Sequence, residues 1–194
     1  LIGNNQIALT NTYKQAENDL FYAEQAIKYA INLASEEFSN NGGIKKECDG
    51  KWYFNNINCN PDLENNFKEL LKEKLISYDL ELENINIENN IIYIRLKDKN
   101  YNSKLSNFEF NYNVRREFKY ESLLDFNKLL DIKNKLEQCN KKAEACVQGK
   151  KEGSIIYYTI ENNKNIYTLT PSPGFKKLEF KFNIDNENYK ETRF

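Results

Sequence analysis

Histidine and methionine are both absent from this chain of 194 residues, which also has only seven glycines and three prolines. Without histidine, there is no imidazole to act as a general base near neutral pH, to activate a serine or cysteine nucleophile, or to bind zinc. The glycines form neither a GxGxxG nor a GxxxxGKS/T pattern, so no phosphate-binding loop is predicted. Glu36 and Glu37 lie on a predicted helix, and the other acidic residues lie opposite apolar positions, which is typical of solvated faces rather than of a carboxylate enzyme. We therefore predict no enzymatic activity, no cofactor and no metal site.

The sequence also has neither an excess of one charge sign nor a long apolar run. The 28 basic and 29 acidic residues are interleaved, so the basic field that nucleic-acid binding requires is missing. No stretch approaches the roughly 18 apolar residues of a membrane span. The chain begins at Leu1 rather than methionine, and we expect that an upstream segment has been removed. Membrane contact is therefore predicted only through a segment missing from this chain.

The four cysteines form two sequence-local pairs, Cys48 with Cys59 and Cys139 with Cys146. Local pairing favours two disulfides and an oxidising compartment, although four cysteines allow three connectivities. A continuous helix would place the Cα atoms of Cys139 and Cys146 about 10 Å apart, beyond the roughly 7 Å that a disulfide tolerates, so this bond requires a helix end near Cys139. Four reduced cysteines in a cytosolic protein are the alternative, and the spacing disfavours zinc. We expect an extracellular domain, or a membrane-anchored one outside the cytoplasm.

Residues 6–39 have the pattern of one long helix. An apolar seam recurs every 3.5 residues, at Leu9, Tyr13, Ala16, Leu20, Ala23, Ile27, Ala30 and Ala34. The sequence Asn40-Asn41-Gly42-Gly43 is predicted to end the helix with left-handed residues. The seam either packs on the domain's own sheet, or its N-terminal part projects and contacts another protein through Leu9, Tyr13, Ala16 and Leu20. We predict a partly projecting helix at 1–40 and an α+β domain at 41–194.

The remainder alternates between loop, helix and strand patterns. Trp52, Tyr53 and Phe54 lie in the first cysteine loop, where they form either a lid on the core or a contact surface for a ligand or protein. Helices are predicted from Pro61-Asp62 and over 121–139. Period-two patterns predict a hairpin within 80–96 and a strand at 108–114, then strands at 154–161, 165–170 and 176–184. The predicted class is α+β, with a long N-terminal helix followed by an antiparallel sheet of about six strands and two further helices.

The charged residues that follow the 108–114 pattern are interpreted as a solvated patch. Arg115, Arg116 and Lys119 alternate in sequence with Glu117 and Glu121. Opposite charges this close in sequence compensate one another.

Three stretches resemble exported proteins of small-genome archaea: Tyr13-x-x-Ala16-Glu17-x-x-Leu20-Phe21-Tyr22, Ala26-x-Lys28-Tyr29-Ala30 and Asn41-Gly42-Gly43. The cysteine pairs and the stretch Asn65-Asn66-Phe67 are similar too. The resemblance implies a preceding transmembrane helix and an anchored, extracytoplasmic domain. Some members carry a D-alanyl-D-alanine carboxypeptidase-like zinc domain, but its histidine ligands have no counterpart in this chain.

The order of a long helix and then an antiparallel sheet also resembles the plan of type IV pilins. The departure is at residues 1–12, which are too polar for the membrane-type core of a pilin filament. The leading hypothesis is a non-enzymatic extracellular or cell-surface structural or adhesive subunit that acts through protein contacts and self-assembles into an appendage. The alternative is a ligand-binding or sensory ectodomain of a membrane-anchored protein.

Overall fold

The computed structural model describes residues 2–43, 51–53, 62–105, 108–137, 158–163, 166–171 and 180–185. Its helices are α1 (Ile2–Asn40), α2 (Leu63–Ile76) and α3 (Phe126–Glu137). The strands in these ranges are β1 (Lys51–Tyr53), β2 (Leu82–Glu88), β3 (Ile91–Leu105), β4 (Phe108–Glu121), β5 (Tyr158–Asn163), β6 (Ile166–Pro171) and β7 (Phe180–Asp185). The predicted α+β class is confirmed at this level.

The prediction of one antiparallel sheet of about six strands is wrong. The antiparallel sheet that follows the long helix has three strands, in the order β2-β3-β4. The remaining strands form a separate sheet in the order β1-β7-β6-β5, in which β1 runs parallel to β7. Alternating hydrophobicity identifies strands but does not say which strands pair, and the three residues of β1 are too few to show a period.

The chain divides into two compact units. The first unit consists of Leu1–Ile31 and Leu71–Glu121, and the second of Asn32–Leu70 and Ser122–Phe194. Each unit combines separate stretches of sequence. Neither unit coincides with the predicted helix of residues 1–40 or the predicted domain of residues 41–194.

Helix α1 ends in the manner predicted from its glycines. Gly42 and Gly43 have φ angles of 61° and 68°, in the left-handed region that a residue without Cβ adopts at little cost. The amide of Gly43 donates to the carbonyl of Phe38 at 2.9 Å, and that of Gly42 to the carbonyl of Ser39 at 3.4 Å. These two bonds form a Schellman motif, which satisfies carbonyls at the end of the helix.

Aspartates cap the two shorter helices. Asp62 Oδ1 accepts a hydrogen bond from the amide of Asn65 at 3.1 Å, and Asp125 Oδ1 accepts one from Lys128 at 3.1 Å. Each carboxylate satisfies an amide that has no partner within the helix. The second helix begins at Leu63, directly after the predicted Asp62, while Pro61 lies outside the described residues. The third helix begins at Phe126 rather than at residue 121.

The three-stranded sheet is built from two hairpins. Asn89 and Asn90 connect β2 to β3 with φ angles of 50° and 63°, as a two-residue turn of type I′ requires. Strands β3 and β4 pair from Ile91 opposite Glu121 to Leu105 opposite Phe108. The predicted hairpin within 80–96 is confirmed.

A β-bulge between Leu96 and Lys99 changes which residues of β3 face the core. Before the bulge the buried residues have even numbers, and after it Tyr101 is buried. The extra residue shifts the alternation by one position, which a regular strand cannot do. The bulge therefore turns Lys99 and Tyr101 towards the face of the sheet on which Val114 lies.

The core of the first unit joins α1, α2 and the sheet. Its buried side chains include Ala16, Ala23, Ile27, Ala30, Leu71, Leu75, Ile92, Ile94 and Leu96. Mostly small side chains thus form the buried side of α1, while bulkier ones come from the strands. Tyr101 and Val114 form a cluster with Ala16, against which Leu20 packs.

The second unit has an aromatic core. The rings of Phe38, Phe67 and Phe126 have centroid separations of 5.0–6.0 Å and pack in tilted or edge-on geometries. Such arrangements place the positive edge of one ring against the negative face of another. Gly43 packs closely on this core, and its carbonyl accepts a 2.7 Å hydrogen bond from Asn66 Nδ2.

Candidate functional site

The apolar seam of α1 is buried or half-buried from Ala16 onwards, and before Ala16 the buried positions of the helix include Ala8 and Thr12, which lie beside the seam. Ala16 is 1% exposed and packs with Tyr101 and Val114, and Leu20 packs against the same cluster. At these positions the helix lies on the sheet of its own unit. Of the four seam residues predicted to contact a partner, Ala16 and Leu20 are therefore engaged within the chain.

The two preceding seam positions are exposed to solvent. Leu9 and Tyr13 are 48% and 51% exposed. The ring of Tyr13 lies 5.9 Å from that of Tyr112 on β4, which is itself 38% exposed. Leu9 and Tyr13 are four residues apart and so lie on one face of the helix. We call Leu9, Tyr13 and Tyr112 the tyrosine patch.

Charged residues of opposite sign border the tyrosine patch. Lys14 and Glu17 are both exposed on α1, next to Tyr13 and one turn beyond it. The negative charge of Glu17 raises the pKa of Tyr13 above its ordinary value. Tyr13 is therefore neutral at physiological pH, and the patch is uncharged within a rim of mixed charge.

The solvent side of α1 carries further aromatic residues. Phe21, Tyr22 and Tyr29 are 64%, 56% and 61% exposed. Tyr22 and Tyr29 are seven residues apart, so they share a face of the helix away from the buried Ala23 and Ala30. The middle of α1 thus exposes large rings while small residues form its buried side.

Polar contacts fix α1 on the sheet next to the buried seam. Asp19 Oδ2 accepts hydrogen bonds from Lys99 Nζ at 2.6 Å and from Tyr101 Oη at 2.7 Å. The bond from Lys99 is the main reason that the pKa of Asp19 lies below its ordinary value. Burial, followed by the bond to Asp19, raises the pKa of Tyr101 to about 12. Further along the helix, Tyr120 Oη donates to the carbonyl of Glu24 at 3.3 Å.

The predicted charge-compensated patch is confirmed for part of its residues. Glu117 accepts hydrogen bonds from Arg115 at 2.7 Å and from Arg95, which also bonds to Glu83 at 2.7 Å. Arg116 does not belong to this network, because alternation places it on the other face of β4, with Val114. The signal for its position was present in the sequence as the continuing alternation of Val114, Arg116 and Phe118.

The other predicted site residues lie at or beyond the limits of the described structure. The backbones of Trp52 and Tyr53 form part of β1, but their side chains are outside the described part, as is Phe54. All four cysteines, Cys48, Cys59, Cys139 and Cys146, also lie outside it. The two disulfides and the aromatic contact surface therefore stay predictions.

Within the described ranges, no group of three or more carboxylate or thiol side chains is arranged to hold a metal ion. None of the helices in these ranges combines the length and the hydrophobicity that a membrane crossing needs.

Comparison with known proteins gives no match to a family model, to a curated protein or to a solved structure. The resemblance to exported archaeal proteins and the pilin-like plan stay predictions.

Proposed function

We propose that this chain is a non-enzymatic extracellular or cell-surface structural or adhesive subunit that acts through protein contacts, with copies of itself as the partner. The observation that carries the proposal is the exposure of Leu9 and Tyr13, at 48% and 51%, on a seam that is buried from Ala16 onwards. On the same part of α1, Ala8 and Thr12 are each only 8% exposed, so the helix buries one side there and exposes Leu9 and Tyr13 beside it.

A protein contact that removes the tyrosine patch from water would be favoured by the hydrophobic effect. Apolar surface gains about 25 cal/mol for each Å² removed from water. Tyrosine contributes strongly to interfaces because its ring offers a large rigid area while its hydroxyl can stay solvated. The tyrosine patch combines the exposed side chains of Leu9, Tyr13 and Tyr112 in one continuous surface.

The charges at the edge of the patch favour a second copy over a strongly charged partner. Lys14 and Glu17 carry opposite charges on the same helix. In a two-fold symmetric contact the same patch is used by both subunits. Because each copy carries one charge of each sign at this edge, the contact adds no net charge there. The net charge of −1 for the whole chain imposes little repulsion between copies.

A charge-insertion experiment tests self-association. We expect the L9K/Y13K variant to associate at least about tenfold more weakly than the wild type in sedimentation equilibrium, because two buried ammonium groups would oppose the contact. Asn11→Lys is the matched control, since it adds the same group to the exposed opposite side of the same turn. A wild-type chain that stays monomeric throughout the micromolar to millimolar range would refute the proposal.

A second experiment tests the proposed location of the protein outside the cytoplasm. The proposal places the chain in an oxidising compartment with Cys48 joined to Cys59 and Cys139 to Cys146. We expect no free thiol in the unreduced, denatured protein purified from its native cells, and peptide mapping should return these two pairs. Four titratable thiols would remove the argument for the cell surface, whatever the result on self-association.

A further inference from the structure

A polar cleft of about 440 Å³ lies in the first unit, between α1, the residues that follow α2, and the bulged part of β3 with β4. Its walls include Asp19, Tyr78, Asp79, Asp98 and Arg116. The volume falls in the range that small-molecule sites occupy. The tyrosine patch does not contribute to its lining.

Arg116 is the cation of this cleft that its surroundings leave uncompensated. Its Nε is buried and has no hydrogen-bond partner. Its Nη1 makes only a long 3.4 Å bond, to the carbonyl of Lys97. Within the described ranges no carboxylate forms an ion pair with it, whereas Arg95, on the opposite face of the sheet, bonds to Glu83 and Glu117.

The nearby carboxylate of Asp19 does not satisfy Arg116. Asp19 Oδ2 already accepts hydrogen bonds from Lys99 and Tyr101, so its charge acts on Arg116 without a direct bond. A guanidinium offers five donors in a planar fork that matches a carboxylate. The Nη donors of Arg116, rather than its buried Nε, are the ones that a ligand in the cleft can reach.

Asp79 supplies an unpaired charge of the opposite sign. It follows α2 with a φ of 56°, in the left-handed region, and lies at the wall of the cleft. Its carboxylate forms no hydrogen bond or ion pair with the side chains that the structure describes. The cleft therefore contains an anionic and a cationic group that form no ion pair with the side chains that the structure describes.

The balance of charge in the cleft selects the class of ligand. Its ionised residues are Asp19, Asp79, Glu81, Asp98, Lys97, Lys99 and Arg116, four acidic and three basic. A phosphate would meet more acidic than basic groups, and a simple cation would leave Arg116 unsatisfied. A molecule with both a carboxylate and an ammonium matches both unpaired groups.

We propose that the cleft binds a small zwitterion of the free amino-acid type, with the ligand carboxylate on Arg116 and its ammonium on the side of Asp79. Tyr22 and Tyr78 supply the less polar part of the wall. This inference is independent of self-association, because the cleft and the tyrosine patch use different residues.

The test is a ligand-observed NMR and calorimetric titration of the whole chain with each of the free amino acids. Acetate, methylammonium and inorganic phosphate serve as probes that lack one of the two charges. We expect saturable binding of at least one amino acid at millimolar concentration or tighter, and about tenfold or more weaker binding of all three probes. Acetate or phosphate binding as tightly as every amino acid, or no saturable binding of any amino acid, would overturn the proposal.

Substitutions of the cleft residues test where the amino acid binds. Arg116→Gln is expected to weaken the binding about tenfold or more, because a bond between charged groups is lost. Asp79→Asn should weaken it too, while the asparagine tolerates the left-handed backbone. Arg115→Gln is the matched control, since it removes the same charge from the neighbouring position on the opposite face of β4. Circular dichroism confirms that each variant is folded, and equal affinities in all three variants would contradict the assignment.

Discussion

Tyr101 donates a 2.7 Å hydrogen bond to Asp19, which joins the middle of β3 to the middle of α1 across 82 residues of sequence. Tyr101 reaches this position because the bulge after Leu96 turns it inward. The helix is thus held at Asp19 by polar bonds and at Ala16 by packing, while the segment before Ala16 lacks both kinds of cover at Leu9 and Tyr13.

Removing the charge of Asp19 should destabilise the first unit. The Asp19→Asn change weakens the bonds from Lys99 and Tyr101, and we expect it to lower the free energy of unfolding by about 1 kcal/mol, since solvent partly screens the site. Urea denaturation measures the difference. Glu36→Gln on the same helix is the control, because it removes a like charge from an exposed position. Equal losses in the two variants would show that the Asp19 bonds contribute no stability.

The same carboxylate should contribute an acid-dependent part of the stability. Its pKa is lower in the folded chain than in the unfolded one, so the folded state binds fewer protons. The stabilising contribution of Asp19 is complete above the ordinary aspartate pKa of about 3.9. It is lost as the pH falls through the lower pKa that Asp19 has in the folded chain. The difference in stability between wild type and Asp19→Asn should therefore shrink towards zero in acid. A difference that stays constant down to that range would contradict this assignment.

The contribution of Tyr101 to the stability of the fold should be lost in alkali rather than in acid. Burial raises its pKa to about 12 in the folded chain, so its stabilising contribution is present below the ordinary tyrosine pKa of about 10 and lost as pH rises through the folded value. In a spectroscopic titration of the 13 tyrosines, the Tyr101→Phe variant should lack part of the late-ionising signal. Tyr120, whose pKa burial also raises to about 12, should account for another part. A Tyr101→Phe curve that loses only early signal would contradict the assignment.

Gly43 should not tolerate a side chain. Its φ is 68°, and an added Cβ would lie 2.5 Å from Leu63 Cδ2 and 2.7 Å from Phe38 Cζ. We expect Gly43→Ala to destabilise the protein by about 2 kcal/mol or more, from backbone strain together with overpacking. Gly3→Ala is the control, because nothing lies within 4 Å of its added Cβ and alanine favours a helix. Thermal unfolding should show a loss for Gly43→Ala alone, and equal midpoints would refute the packing argument.

Local features of the fold were predictable because their causes lie within a few residues. Gly42 ends α1, Asp62 starts α2, and Asn89 with Asn90 form the hairpin turn, each through its own backbone preference or side-chain oxygen. The α+β class follows from the change between helical and strand periods.

Pairing between distant segments was not predictable from the same patterns. Trp52 pairs with Ile184 in a parallel arrangement, and no period within either segment encodes that partnership. The bulge after Leu96 likewise interrupts an alternation that the sequence carries on both sides of it. Arg116 was assigned to a solvated patch because Arg115 and Glu117 flank it, although its place in the alternation puts it on the other face.

Hydrogen–deuterium exchange at several protein concentrations tests the central claim most directly, because it locates a contact as well as detecting it. We predict that the amides around Leu9 and Tyr13 exchange more slowly as the concentration rises, whereas those of α2 do not change. The L9K/Y13K variant should lose this dependence. Exchange in the first turns of α1 that is independent of concentration, up to the millimolar range, would contradict self-association through the tyrosine patch.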